Sequence, residues 1–145
     1  MLSNLIERIK ILSAITPTAG AAGTSAINGS TIDTQGFRGV LFSVHFGAIV
    51  AGAATSIKVQ HGDASDLSDA ADVAGTSQTI ADTDDDKVFY CDLNRVTKRY
   101  CRVVVSRATQ NATCEATAIL YDAVSKPPAQ TASGEAFNNA VSGTA

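Results

Sequence analysis

The chain has 145 residues, a formal net charge of −3 at pH 7 and 45% hydrophobic residues, 24 of which are alanine. That length fits one domain able to bury a core without disulfides or metals, and the mildly acidic balance excludes a broad basic field for nucleic acid or anionic membrane. With no Trp, five Phe and three Tyr, the large apolar side chains are confined to a few short runs, which suit a thin sandwich better than a deep enzyme cleft.

Residues 1–8 can form a short helical turn with Leu2, Leu5, Ile6 and Ile9 on one stripe. The stretch interleaves Glu7, Arg8 and Lys10 with its apolar residues, so it lacks the uninterrupted apolar core and the cleavage site of a signal peptide. No run approaches the ~18 apolar residues of a membrane span, and the chain reads as soluble, without a secretion address. Residues 9–16 alternate as a strand or extended arm, with Ile9, Ile11 and Ser13 against Lys10, Leu12 and Ala14, until Pro17 ends the ladder. Residues 18–24 are Gly/Ala-rich and loop-like. Residues 25–28 and 31–33 are short extended pieces interrupted by Asn28-Gly29, a hairpin-turn pair whose apolar flanks are thin here. Gln35-Gly36 makes another turn.

The clearest strand is residues 39–46, with Val40, Phe42, Val44 and Phe46 on one face and Leu41, Ser43 and His45 on the other. Residues 47–55 are small and predict a loop. Residues 56–61 form a second strand, with Ile57, Val59 and His61 opposing Lys58 and Gln60. Residues 63–75 make a long acidic connection with room for one helical turn, Leu67, Ala71 and Val73 facing inward. A short strand at 77–81 and a charged turn at 82–86 follow. Residues 87–93 set Val88 and Tyr90 against Phe89, Cys91 and Leu93; after a polar turn at 94–98, residues 100–106 set Cys101, Val103 and Val105 against Tyr100, Arg102 and Val104. After a turn at 109–112, residues 113–121 set Cys114, Ala116, Ala118 and Leu120 against Glu115, Thr117, Ile119 and Tyr121.

The expectation is an all-β antiparallel β-sandwich, jelly-roll-like, of seven or eight short strands with extended N-terminal and C-terminal arms. No helical period alternates with the strands, against a βαβ fold. The division is residues 1–17 as N-terminal arm or first strand, 18–123 as the sandwich, and 124–145 as a low-complexity tail behind Pro127-Pro128. Ala, Ser, Thr, Gly and Asn dominate that tail around one Phe137. Such a composition does not fold alone, so it is either a disordered end or an arm ordered by a neighbouring subunit.

Cys91, Cys101 and Cys114 are odd in number, widely spaced and inside strands. They read as reduced core residues, in keeping with synthesis in a cytoplasm. Eight Asp and no Lys or Arg fall in residues 63–86, whereas residues 95–107 hold five basic residues and no acid. These segments are either solvated loops or a charge-polarised surface that orients copies or docks on a lattice. No catalytic constellation stands out. His45, His61 and Asp63 lack ligand spacing, and no G-x-S-x-G motif is present. Taken as a calcium loop, the run starting at Asp82 puts Lys87 at position 6 and Leu93 at position 12, where an EF-hand needs Gly and Glu. Asp63, Asp66, Asp69 and Asp72 recur every third residue, which a wet loop explains. The basic segment has only Tyr100 as a stacking platform, so nucleic acid is not expected as a partner. The expectation is no enzyme, no cofactor, no metal, no nucleic-acid partner and no membrane partner.

Three patterns in order resemble small proteins encoded near the major capsid gene of tailed bacteriophages, the head decoration (cement) family. The first is Ile32-Asp33-Thr34-Gln35-Gly36-Phe37 running into the strand Val40 to Phe46 and Gly47. The second is Ile57-Lys58-Val59-Gln60-His61-Gly62-Asp63, followed by a loop ending Ala71-Asp72-Val73-Ala74. The third is Arg99-Tyr100-Cys101-Arg102-Val103-Val104-Val105, then Ala116 to Tyr121 and the Pro127-Pro128 stop. Together they span residues 9–128. The resemblance implies a jelly-roll-like structural protein of the virion, made in the host cytoplasm and seated on the capsid exterior. Its partners would be the phage major capsid protein and copies of itself, as a dimer or trimer. It offers no catalytic residues to carry over. The competing readings are a tail-tube, head–tail connector or fibre-associated β domain, and a carbohydrate-binding sandwich, against which the lack of Trp counts.

Overall fold

The structure is a computed structural model that describes residues 5–125 and Pro128. It contains a 3₁₀ turn at Leu5–Glu7 and ten strands: β1 Lys10–Ile15, β2 Ile27–Asn28, β3 Ile32–Asp33, β4 Phe37–Ile49, β5 Thr55–Gly62, β6 Ala71–Asp72, β7 Gln78–Ile80, β8 Val88–Leu93, β9 Tyr100–Ser106 and β10 Ala112–Ala123. Sheet A has the order β1-β10-β4-β8; in sheet B, β9 and β5 lie centrally, with β2 and β3 along one side and β6 and β7 along the other. Every pair is antiparallel.

The pairing is nested. β1 pairs with β10, β2 and β3 with β9, β4 with β8, and β5 with β6 and β7. The chain is thus one long antiparallel ribbon closing at the β5–β7 end. Rolling that ribbon brings β10 beside β4 and β9 beside β5. This is the jelly-roll arrangement of two Greek keys. Counting β2 with β3 and β6 with β7 as split strands gives eight, the upper end of the expected number.

The core lies between the sheets. Val40, Phe42 and Val44 of β4 are fully buried, as are Ile57 and Val59 of β5, Val103 and Val105 of β9, and Leu120 of β10. Small residues face large ones across the longest ladder: Ala118 opposes Phe42 and Ala116 opposes Val44. Alanines at these positions serve packing, making room for larger side chains within a slab roughly 10 Å thick. Phe46 and Phe89 meet edge to face at 5.8 Å, the geometry that ring quadrupoles favour.

Several expectations need correction. Residues 47–49 continue β4, because β10 extends to meet them with Ala112 opposite Ile49. Gly47 permits this, since a Cβ there would lie 2.5 Å from Thr113 Oγ1. Residues 63–75 contain no helical turn. The Asp69 carboxylate instead accepts the Asp63 and Ala64 amides at 2.8 and 3.1 Å, a local side-chain closure that competes with helix. Leu67 is buried beneath this loop, while Ala71 is exposed and pairs with His61 as part of β6.

Asn28-Gly29 is not a hairpin turn. β2 and β3 lie successively along the same partner, β9, and Gly29 is the jog between them. Its amide bonds Val103 O of sheet B at 2.8 Å, and the next amide, of Ser30, bonds Ala14 O of sheet A at 2.7 Å. A Cβ at 29 would meet both carbonyls within 3.0 Å, so three backbones converge where only glycine fits. In β1 the expected alternation breaks at a bulge between Ser13 and Ile15, and Ala14 and Ile15 are both buried. Val124 N bonds Gly36 O at 2.8 Å. Residues 1–4 of the expected N-terminal turn and nearly all of the expected tail, residues 126–127 and 129–145, lie outside the described residues.

Candidate interaction surface

The two outer faces of the sandwich differ in chemistry. On sheet B, Arg102 reaches Gln60 Oε1 at 3.0 and 2.8 Å; Gln60 donates to Asp72 at 2.8 Å, and Lys58 pairs with the same carboxylate at 2.8 Å. Arg99 grips Asp33 with two nitrogens at 3.0 and 2.9 Å. This face is a satisfied polar network with little to gain from a partner.

Sheet A presents rows set by the strand register. Ile11 of β1, Ile119 of β10, Leu41 of β4 and Asp92 of β8 form one row; Ser13, Thr117, Ser43 and Tyr90 form the next; Glu115, His45 and Val88 form the third. Ile11 and Val88 are 40% exposed and Tyr90 60% exposed. Tyr121 lies across Gly39, whose Cβ would fall 2.3 Å from its ring, and donates its hydroxyl to Asp92 at 2.6 Å. Burial and the adjacent Asp92 carboxylate push the Tyr121 phenol up to about 12. The result is a flat face with an aliphatic row, two tyrosines and a valine turned to solvent, bounded by isolated charges. The exposed aliphatic row makes this the more apolar of the two outer faces.

The sheet edges also differ. β1 is blunted by its bulge, by Lys10 and by Ser30 N taking Ala14 O. β2, β3 and β6 are two residues long and β7 three. β8 is six residues long and pairs with β4 without a register shift. Short, kinked or charged edges resist strand addition; among the described residues β8 is the one unkinked edge longer than three residues, and its single charge, Asp92, accepts the Tyr121 hydroxyl.

The residues singled out from sequence are dispersed. His45 stands on the outer face of sheet A, its Nδ1 3.9 Å from Glu115 Oε1; His61 sits in β5 of sheet B and Asp63 pairs with Lys98. An open depression of about 310 Å³ beside His45 is also lined by Glu115, Asp86 and Pro17. Among the described residues, no group of three or more His, Cys, Asp or Glu side chains is placed to hold a metal ion. The acidic run largely closes its own loops: Asp82 accepts Gly52 N at 2.7 Å, Asp84 accepts Ala81 N at 2.9 Å, Asp85 accepts Ile49 N at 2.6 Å, and Asp66 accepts Ser68 N at 3.0 Å. The amide bond to Asp66, the two amides on Asp69, and Lys87 with the Ala81 amide at Asp84 hold these three carboxyls below the ordinary carboxylate value of 3.8.

The basic run is likewise spent internally. Arg107 is buried and donates to the carbonyls of Ser25, Ala21 and Ala112, each at 2.7 Å. The exceptions are the side chains of Asp86 and Arg95, which make no hydrogen bond or ion pair with other described residues. The three cysteines are free and buried. What sequence reading missed was the apolar row. Its signal was the presence of Leu41, Ile119 and Tyr121 on the nominally wet side of otherwise regular alternations.

No family model matches the chain, and no curated protein matches it. Among solved structures, it is similar to the crystal structure of an SPBc2 prophage-derived protein, YomS. The match has a TM-score of 0.50 at 14% identity and covers 83% of this chain and 98% of that one. At that identity the likeness concerns the fold.

Proposed function

We propose that the chain is a structural protein of a phage particle that decorates and stabilises the capsid by bridging major capsid subunits from the outside. The observation that carries this reading is the unequal sandwich: one face is closed by its own hydrogen bonds, and the other is a more apolar plane of Ile11, Leu41, Ile119, Tyr121 and Tyr90, left open by the other described residues. A stiff jelly roll with one sticky side works as a clamp. Each contact is modest, and repetition over a shell makes occupancy high. The resemblance in residues 9–128 supports it, as does a similar fold in a protein described as prophage-derived. The protein acts by binding and carries out no reaction.

The test is co-sedimentation of the purified chain with empty shells of its phage. Saturable pelleting that persists at high salt is expected, because the face is apolar. The variant Ile11→Lys with Ile119→Lys should lose binding at least about tenfold without a change in fold, since both positions are on the outer side. No pelleting, or equal pelleting by the variant, overturns the reading.

A further inference from the structure

We infer that two copies of this chain pair edge to edge through β8, joining their A sheets into one continuous eight-stranded sheet. The inference deepens the proposed role by naming where copies meet, and it rests on that role only for its biological setting.

The geometry of the edge comes first. Phe46 N bonds Lys87 O at 2.9 Å, so Phe46 and Lys87 form a hydrogen-bonded pair of the β4–β8 ladder. By antiparallel alternation, the amides and carbonyls of Phe89, Cys91 and Leu93 face β4, and those of Val88, Tyr90 and Asp92 face away. Among the described residues, one of these outward groups is covered, by a side chain: Gln78 Nε2 donates to Tyr90 O at 2.8 Å. Val88 and Tyr90 are also among the most exposed large apolar side chains of the molecule, at 40% and 60%. A regular six-residue edge with apolar side chains is a template for another strand.

Charge selects the occupant. β8 has the unpaired Asp86, beside Asp85, at its start and the unpaired Arg95 just past its end. A strand that is acidic at one end and basic at the other complements itself when a second copy lies antiparallel across a two-fold axis. Three registers keep at least two of the edge-facing residues Val88, Tyr90 and Asp92 opposite such residues of the second copy. With Tyr90 opposite its symmetry mate, Asp85 falls opposite Arg95 twice, with Asp86 adjacent. Slipping two residues one way sets Asp86 against Asp92 twice; slipping the other way sets Lys87 against Arg95 twice. Only the central register satisfies the charges. It pairs Val88 with Asp92 and Tyr90 with Tyr90, giving about six main-chain hydrogen bonds. It also buries both tyrosine rings against each other on the outer face. The Gln78 amide yields Tyr90 O to the partner's Tyr90 N–H. The apolar planes of the two A sheets then become coplanar, doubling the platform on one side.

The experiment is sedimentation velocity of the full chain over a concentration series at low and high salt. A reversible dimer that tightens at low salt is expected. Arg95→Glu should weaken it about tenfold, and adding Asp86→Lys, next to the Asp85 that faces position 95, should recover part of that loss. Tyr90→Pro should leave a monomer with an unchanged far-ultraviolet spectrum, because the lost N–H points off the sheet. Should that variant fail to fold, the charge pair alone decides. A wild-type monomer at all concentrations, a trimer, a dimer indifferent to Arg95→Glu, or a charge swap that restores nothing would each overturn the pairing. A monomer that still pellets with shells would sink the pairing and leave the capsid reading intact.

Discussion

Three cysteines in one small domain invite the question of reactivity, and burial answers it. The Cys101 thiol is pushed up to about 12 and Cys114 to about 11, each chiefly by loss of water; Cys91 is raised by burial too, partly offset by the Gln78 amide. A thiol held protonated is neither a nucleophile nor a metal ligand. Two consequences follow. At pH 8 a thiol reagent should label none of the three in the folded chain within minutes and all three after denaturation. Above about pH 9 the unfolded thiols ionise while the folded ones do not, so stability should fall as pH rises from about 9 towards 12. Rapid labelling of the native protein at pH 8 would contradict this account of the core. Gly39 and Tyr121 make a complementary point on the surface, where the missing Cβ lets an aromatic ring lie flat across β4 to Asp92.

Among the elements, most strands were legible from sequence, β2 and β3 lying within the extended pieces at 25–28 and 31–33 and β7 within the strand at 77–81, whereas β6 fell inside an expected loop. β4 and β10 alternate over most of their length because one face is buried, whereas β9 buries Val103, Val104 and Val105 in a row; Phe42, Val103 and Ala118 all point where the period sent them. β2, β3 and β6 have two residues each, too few for a period; β2 and β3 depend on β9 far along the chain, and β6 on the end of β5 nearby. Gly29 read as a turn because Asn-Gly usually is one; here the glycine is demanded by the close passage of Val103 O and Ala14 O. Arg107 was equally opaque, counted with a basic run, whereas it is a staple tying the loop between β1 and β2 to the start of β10. Arg107→Met should destabilise the fold by about 3 kcal/mol, since three carbonyls lose a charged donor in a buried site. Urea unfolding with an unchanged slope would measure it; a loss below about 1 kcal/mol would show that water replaces the guanidinium freely.

The whole molecule is one ribbon rolled on itself, and that could not be read from local pattern, because pairing first strand with last is a property of distant residues. The class of fold was legible; the nesting was not. The same holds for the candidate surface. Individual apolar residues were visible in the sequence, but their assembly into one plane needs the register that lines up Ile11, Ile119 and Leu41. Charge behaved the opposite way: segments that look polarised in the sequence are mostly neutralised inside the fold, by backbone amides for the acids and by Asp33, Gln60 and buried carbonyls for the arginines. What is left over, an apolar plane and one dipolar edge, is the part suited to partners.

The most direct measurement is an electron-microscopy reconstruction of the particle at a resolution that separates the two sheets. Density for the sandwich on the outside of the shell, with the outer face of sheet A turned to the major capsid protein and sheet B to solvent, is the predicted result. Density inside the shell or along the tail, or a sandwich seated on its sheet B face, would contradict it.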